Sequence, residues 1–341
     1  RPPRSTLLPY TTLFRSAGLA GCALGPDYHR PTVDSPAAFR FAQSTAPSSF
    51  ADLRWWDAFR DPQLQDLIRT ALTNNYDLQR AVARVEQARE QVTVARAPLF
   101  PQVGYGGDVG RGRNSEFNGP APLNGGTESS AVAGVNAVWE IDFWGRIRRL
   151  TQAARAQYLA TDEARRGVTL TLVSDVASTY VQLLGVDQEL SIQRAATNAY
   201  AGTYRIFNER RINGVASRLE TDRAAAALAS ASAAIPQLEL QAATLENRIN
   251  VLLGRSPAPI ARTTLTQLPP FPPEIPVGLP SDLLQRRPDI LAAEQSLVAA
   301  NATVGASFAS FFPQIGLTTF LGKVSPELSA FTSGTANAWN V

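Results

Sequence analysis

The fold is decided by residues 228–252, which read LASASAAIPQLELQAATLENRINVL. Apolar side chains recur there at alternating steps of three and four residues: Leu228, Ala231, Ile235, Leu238, Ala242, Leu245, Ile249 and Leu252. A mean spacing of about 3.5 residues is typical of a coiled-coil seam, whereas an ordinary surface helix has a period of about 3.6. The stretch therefore predicts a long helix that packs along its length against a second helix.

The second helix precedes the first in the chain, over residues 146–212. A weaker apolar seam runs along it, and Asp187 interrupts that seam: Val173, Val176, Tyr180, Leu183 and Leu190. At the rise of an α-helix this leg extends for about 100 Å. We therefore predict a helical hairpin over residues 145–253, and a plain hairpin in a helix bundle is the alternative.

Four residues specify the turn of this hairpin. Asn213 and Gly214 supply the left-handed backbone that commonly ends a helix. Ser217 and Glu220 have the S-x-x-E spacing of a capping box, in which each side chain satisfies a backbone amide of the other residue. The next helix is therefore expected to begin directly after Ser217.

Composition excludes several classes of protein. The 341 residues are 44% apolar, which is enough for a sizeable core and allows two domains. The net charge of +3 comes without a basic stripe, so nucleic-acid binding has little support. One His and one Cys exclude an ordinary His/Cys metal cluster and a disulfide, and no catalytic set is visible. We predict neither an enzyme nor a metal or cofactor site.

The amino-terminal region carries a lipidation signal. Residues 1–16 fit neither a signal peptide nor a fold, and with no Met in the chain we interpret them as non-native. The following LAGC, residues 19–22, is a lipobox that makes Cys22 a candidate for a covalent lipid such as palmitate. The alternative is a chance run of small residues before a buried Cys. Residues 17–60 otherwise form a Pro- and Ser-rich extended arm.

The next region, residues 61–254, reads as one helix–hairpin–hairpin repeat. Two heptad rows predict a helix over 62–98: Leu64, Ala71, Leu78, Val85 and Val92 in the first row, and Leu67, Asn74, Ala81, Ala88 and Ala95 in the second. The period then changes to two, which predicts a β-hairpin over 101–143. Apolar residues alternating with polar or small ones over so long a strand are typical of a transmembrane β-barrel, and a soluble hairpin is the alternative.

A Pro-rich linker, residues 255–280, separates this repeat from a second copy over 281–341. The copies align when residue i is set against residue i+212. Nine pairs are then identical: Asp77/Asp289, Ala81/Ala293, Ala88/Ala300, Val92/Val304, Ala97/Ala309, Phe100/Phe312, Pro101/Pro313, Gln102/Gln314 and Gly104/Gly316. The second copy is predicted to hold a helix over 288–311 and a strand over 313–322. It ends where its second strand should begin, so we expect the chain to be truncated at both ends.

Six motifs occur in order along this duplicated pattern: GPDYHRP (25–31), WW (55–56) leading to FRDP (59–62), EIDFWGR (140–146), LLG (252–254), RRPDI (286–290) and FFPQI (311–315). Together they resemble the outer membrane efflux protein family, the TolC-like outer membrane factors, in the lipoprotein branch of NodT and OprM. The resemblance implies an α+β membrane protein. A periplasmic tunnel of coiled-coil hairpins would meet a transmembrane β-barrel, to which each protomer of a homotrimer gives four strands.

The resemblance also implies function. The chain is expected to be a lipid-anchored channel of a Gram-negative outer membrane, extending into the periplasm. It would export drugs, metals or other small molecules that a resistance-nodulation-division pump in the inner membrane delivers through a periplasmic adaptor. Gly214, Val215, Ala216 and Ser217 then form the tip against which the adaptor docks. The alternatives are a type I secretion duct and a non-channel periplasmic coiled-coil scaffold.

Two acidic residues and a basic run lie where the second predicted strand meets the long helix. Glu140 and Asp142 share one face of the strand, and we interpret them as facing a water-filled lumen near the periplasmic rim of the barrel. The run RIRR, residues 146–149, is interpreted as a solvated start of the helix.

Overall fold

The structure is a computed structural model that describes residues 23–34, 36, 61–113, 127–262 and 280–341. Helices dominate it, and the strands form one antiparallel sheet. In chain order the elements are α1 (Pro62–Asn74), α2 (Tyr76–Arg96), β1 (Gln102–Arg113), β2 (Thr127–Ile141), α3 (Arg146–Ile212), α4 (Arg218–Leu252), α5 (Pro280–Arg286), α6 (Pro288–Ala309), β3 (Ile315–Ser325) and β4 (Asn337–Asn340). The predicted combination of long helices with antiparallel strands is confirmed.

The chain divides into two compact units. Unit 1 comprises Arg1–Pro31, Gln87–Ala160 and Ala293–Val341, and its described part contains the sheet. Unit 2 comprises Thr32–Glu86 and Thr161–Ala292, and it contains α3 from Thr161 onwards together with α4. No helix among the described residues has a stretch long and apolar enough to cross a membrane.

The core of unit 2 lies where α1, α3 and α4 meet. All five predicted seam residues of α3 are buried, and none of the eight on α4 is exposed. One buried cluster joins the three helices: Leu64, Leu67, Ile68, Ala71, Leu172, Val173, Val176, Ala177, Tyr180, Leu183, Leu184, Ala242, Ile249, Leu253 and Ile260. The residues whose spacing predicted the hairpin therefore form the packed contact between its two helices.

Asp187, which interrupts the seam on α3, has a specific partner. The Nε of Arg262 lies 2.7 Å from a carboxylate oxygen of Asp187, and its NH2 nitrogen lies 2.8 Å from Glu246 on α4. Partial burial raises the pKa of Asp187 above its ordinary value, and the charge of Arg262 opposes that rise. The interruption is therefore an ion-paired site that ties the chain after α4 to both legs of the hairpin.

The structure divides the predicted helix 62–98 at Asn75, where ψ is 126° and the backbone is extended. The buried Asn75 side chain accepts a hydrogen bond from the amide of Leu78 (2.9 Å) and donates one to the carbonyl oxygen of Leu252 (2.9 Å). These bonds replace those of a continuous helix and begin α2 with a new cap. The seam survives the break, because every apolar member of both heptad rows remains buried or half-buried.

The break recurs in the second repeat. Arg287, which corresponds to Asn75 at an offset of 212, separates α5 from α6. Pro288 follows it and disfavours a helical backbone at the residue before it. The predicted helix 288–311 ends at Ala309. The duplicated unit is therefore two helices with a break, followed by strands.

In unit 1 the sheet has the order β1-β2-β3-β4, with every neighbouring pair antiparallel. Register places Tyr105, Val135, Leu321 and Trp339 in one row across all four strands, and all four side chains are exposed. The row is the predicted apolar face. Glycine is the commonest residue on the opposite face, where the ring of Phe320 covers Gly134.

The strands of the second repeat differ from the predicted bounds. β3 extends from Ile315 to Ser325 rather than over 313–322, because it pairs with β2 along its whole length. The second strand of this repeat begins close to the end of the given sequence, as expected: β4 (Asn337–Asn340) pairs with β3 from Asn337 onwards. The loop of the predicted hairpin, residues 114–126, lies outside the described residues.

A substitution at Gly254 tests the packing at the end of α4. Its φ is +65°, and a Cβ there would lie 2.4 Å from the carbonyl oxygen of Asn74. Gly254→Ala should therefore destabilise the protein by about 2 kcal/mol or more, which lowers the melting temperature by roughly 4 °C or more. Gly202→Ala is the control, because no atom lies within 4 Å of its Cβ in α3. Thermal unfolding of both variants measures the difference, and equal melting temperatures would contradict this packing.

Candidate functional site

The turn between α3 and α4 has the predicted geometry. Gly214 has a φ of +74°, and the amides of Gly214 and Val215 donate to the carbonyl oxygens of Arg211 (3.0 Å) and Arg210 (2.8 Å). This pair of bonds is the Schellman motif that satisfies the last carbonyls of a helix. No atom lies within 4 Å of a Cβ built on Gly214. Glycine is therefore required there for its backbone conformation and not for close packing within the chain.

The predicted capping box is confirmed at the start of α4. The Ser217 amide donates to a carboxylate oxygen of Glu220 (2.8 Å), and the Glu220 amide donates to the Ser217 hydroxyl (3.2 Å). The bond from the Ser217 backbone, followed by the bond from its hydroxyl, lowers the pKa of the exposed Glu220 carboxyl. The tip thus satisfies its own backbone groups.

The surface of the tip is apolar at its centre. Ile212, Val215 and Leu219 expose 69%, 67% and 59% of their surface. Arg211 and Arg218 are exposed beside them. Ile212 at the end of α3, Val215 on the turn and Leu219 in the first turn of α4 together form a small apolar patch with a charged rim. We call Ile212, Val215 and Leu219 the tip patch.

The two acidic residues at the strand–helix junction have partners within unit 1. Glu140 accepts two hydrogen bonds from the Arg146 guanidinium, at 3.0 and 2.5 Å. Asp142, whose side chain is 7% exposed, accepts from the amides of Ile147 (3.0 Å) and Arg148 (2.9 Å). Asp142 therefore caps α3 and offsets the partial positive charge at its first turn. That either residue faces a lumen stays a prediction.

The interpretation of residues 146–149 as a solvated helix start is wrong for Arg149. Its side chain is 5% exposed and lies 2.9 Å from a carboxylate oxygen of Asp27. Sequence reasoning missed it because all of its partners except Gln152 lie more than a hundred residues away along the chain. Cys22, the predicted lipidation site, lies outside the described residues. Within the described ranges, no three His, Cys, Asp or Glu side chains are grouped so that they could hold a metal ion.

The capping box predicts a dependence on pH at the tip. Because the pKa of Glu220 is lowered from 4.5, its contribution to the cap is present above pH 4.5 and is lost as pH falls through the lower, folded value. Amide protection at residues 217–221, corrected for the intrinsic exchange rate, should therefore decrease below pH 4.5. In Glu220→Gln the amide oxygen still accepts from Ser217, so protection should not change with pH. An equal pH dependence in both proteins would contradict the assignment.

Comparison with known proteins agrees with this geometry. A family model described as outer membrane efflux protein matches residues 67–255 and 279–341. A probable efflux pump outer membrane protein, TtgC of Pseudomonas putida strain KT2440, is 37% identical over 94% of this chain and 67% of its own length. The cation efflux system protein CusC of Escherichia coli K12 is 33% identical over 98% of this chain and 72% of its own. The solved structure of the outer-membrane channel OprN has a TM-score of 0.81 and 31% identity, over 94% of this chain and 72% of that one. The chain therefore belongs to the outer membrane efflux protein family.

Proposed function

We propose that this chain is a subunit of the outer membrane exit duct of a tripartite efflux system. Substrate from an inner-membrane pump reaches such a duct through a periplasmic adaptor and leaves the cell passively. The observation that carries the proposal is the duplicated helix–strand pattern of a chain that contains both a 67-residue helix with its hairpin partner and a sheet with one apolar face. Family membership supports it, since the family consists of channel proteins and not of enzymes.

The sheet supports assembly as a homotrimer. Within the described residues β1 and β4 each pair on one side only, so each leaves a row of backbone amides and carbonyls without a strand partner. Such edges cannot remain open in lipid, where no water satisfies them. Pairing between copies of the chain closes the sheet, and three copies of four strands give the twelve-stranded barrel that the sequence resemblance implies.

The tip patch is the proposed docking site for the adaptor. Since residues 213–217 satisfy their own backbone groups, the turn needs no partner to be stable, and its exposed aliphatic side chains remain available to one. Arginines beside the patch favour an adaptor with an apolar centre and an acidic rim. Gly214, Val215, Ala216 and Ser217 are then the point where the tunnel meets the adaptor, with a resistance-nodulation-division pump beneath it.

We propose a covalent lipid at Cys22 as the membrane anchor. Its support is the LAGC sequence of residues 19–22 and the placement of Ala23, the next residue, against Gly145 at the strand–helix junction. Incorporation of labelled palmitate should be lost in Cys22→Ser. Retained label in that variant would remove the anchor from the proposal without affecting the duct.

The cargo is proposed to be small molecules or ions. The names of the relatives include both an antibiotic efflux pump protein and a cation efflux protein, so antibiotics and metal cations are both proposed as cargo. A type I secretion duct is the second candidate, favoured only by the same overall architecture. Deleting the native gene discriminates the two: loss of tolerance to antibiotics or metal cations supports efflux, whereas loss of a protein from the culture medium supports secretion.

The docking of the adaptor gives a direct test. Val215→Glu in the native gene introduces a charge into the tip patch, where it should abolish docking and reduce tolerance to antibiotics or metal cations to the level of the deletion strain. Val33→Glu is the control, because Val33 is similarly exposed (61%) but lies in the arm. Both variants should reach the outer membrane at normal levels. Full tolerance in Val215→Glu would contradict docking at this tip.

A further inference from the structure

Residues 23–30 of the amino-terminal arm lie in a cleft of unit 1 and bind there through their backbone. The Leu24 amide donates to the carbonyl oxygen of Trp144 at 3.1 Å. The Arg149 guanidinium donates to three consecutive carbonyl oxygens of the arm, those of Ala23 (3.3 Å), Leu24 (3.0 Å) and Gly25 (3.0 Å). The single buried side chain of Arg149 thus binds three adjacent peptide groups.

Helix α6 supplies the other wall of the cleft. The Asn301 side chain donates to the carbonyl oxygen of Pro26 at 2.9 Å. Glu294 accepts from the Tyr28 hydroxyl at 3.2 Å and pairs with Arg30 at 2.5 Å. Gly305 completes the wall, and we call Arg149, Glu294, Asn301 and Gly305 the socket.

The fit between the arm and the socket is close at two glycines. Gly25 has a φ of +97°, and a Cβ on it would lie 2.4 Å from the Cα of Gly305. A Cβ on Gly305 would in turn lie 3.0 Å from both the Leu24 carbonyl oxygen and the Arg149 Nε. The two backbones therefore meet directly: Gly25 cannot be replaced without a clash, and a side chain at Gly305 would force its neighbours to shift.

Arg149 is charged and buried, so it needs the hydrogen-bond acceptors that the arm supplies. A guanidinium this buried must have its donors satisfied, and leaving them unpaired is costly. Gln152 on α3 takes one of them, at 3.0 Å. Its other partners, the three carbonyls and the exposed Asp27, all belong to the arm. Without the arm, the Arg149 guanidinium would remain in the cleft without most of these hydrogen bonds.

The socket is not a general property of the duplicated unit. At an offset of 212, Glu294, Asn301 and Gly305 correspond to Val82, Arg89 and Thr93 of the first repeat. Val82 lacks the carboxylate of Glu294, Arg89 lacks the short amide of Asn301, and Thr93 has a side chain where Gly305 has none. Only the α6 copy of the helix therefore carries the residues that receive the arm.

We propose that the socket is a binding site for an extended peptide segment, that residues 23–30 are its ligand, and that Arg149 is the positioning residue that recognises them. The bound arm reaches both repeats at their helix–strand junctions. Its Leu24 bonds to Trp144, and the Trp144 indole nitrogen donates to the Pro313 carbonyl oxygen (2.9 Å) while its ring stacks on Phe312. The arm is thus a strap that fixes the amino-terminal end of the chain where the helices give way to strands.

Hydrogen–deuterium exchange of the intact protein in detergent tests the proposal. In Arg149→Gln, the Leu24 amide, which donates to the Trp144 carbonyl oxygen, should exchange at least about tenfold faster, since the carbonyls of the strap lose their donor. Arg149→Lys should lie between this variant and the parent, because an ammonium keeps the pair with Asp27 but lacks the planar fork. The control is Arg155→Gln on the exposed side of the same helix, which should leave the exchange of the arm unchanged.

A second variant changes the arm itself and leaves the socket intact. Gly25→Ala should also speed exchange of the Leu24 amide about tenfold by blocking the approach of the arm to Gly305, with the melting temperature of the protein preserved. Gly316→Ala is its control, since no atom lies within 4 Å of that Cβ. Unchanged exchange of the Leu24 amide in both Arg149→Gln and Gly25→Ala overturns the proposal. So does an increase that spreads equally through the strands, because Arg149 would then be only a core residue.

Discussion

The apolar seam between α3 and α4 is the constraint on which the rest of unit 2 depends. Side chains at a mean spacing of about 3.5 residues can bury one face of a helix over its whole length only against a second helix of matching period. The Schellman turn at Gly214 and the capping box at Ser217 make that partner the preceding leg of the same chain. The seam is thereby buried along the legs, and the tip exposes the side chains of Ile212, Val215 and Leu219.

Sequence could predict these features because each is local or periodic. The seam repeats a pattern eight times on α4, and the cap and the capping box lie within eight residues of each other. The duplication was visible because nine identities occur at a single offset without gaps. The duplication also contains a signal for a helix break. Pro288, set against Tyr76, marks a helix break at Arg287 and so indicates the break at Asn75, which the heptad rows alone conceal.

The parts that escaped prediction are contacts between distant segments. Asn75 is held by the carbonyl of Leu252, Asp187 by Arg262, and Arg149 by the backbone of residues 23–25. A backbone carbonyl has no side-chain signature, so no pattern of residue types shows which peptide groups a buried Arg will meet. The cap that Asp142 provides for α3 is local by contrast, since its partners are the amides of Ile147 and Arg148, and the strand pattern alone did not indicate it.

The central claim is that this member of the outer membrane efflux protein family forms a passive duct from several copies of its strands and hairpins. Recording from planar lipid bilayers with the purified native protein tests it most directly. The account predicts a trimer that adds conductance in uniform steps, with a linear relation of current to voltage and no need for an energy source. A protein that stays monomeric and adds no conductance would contradict it.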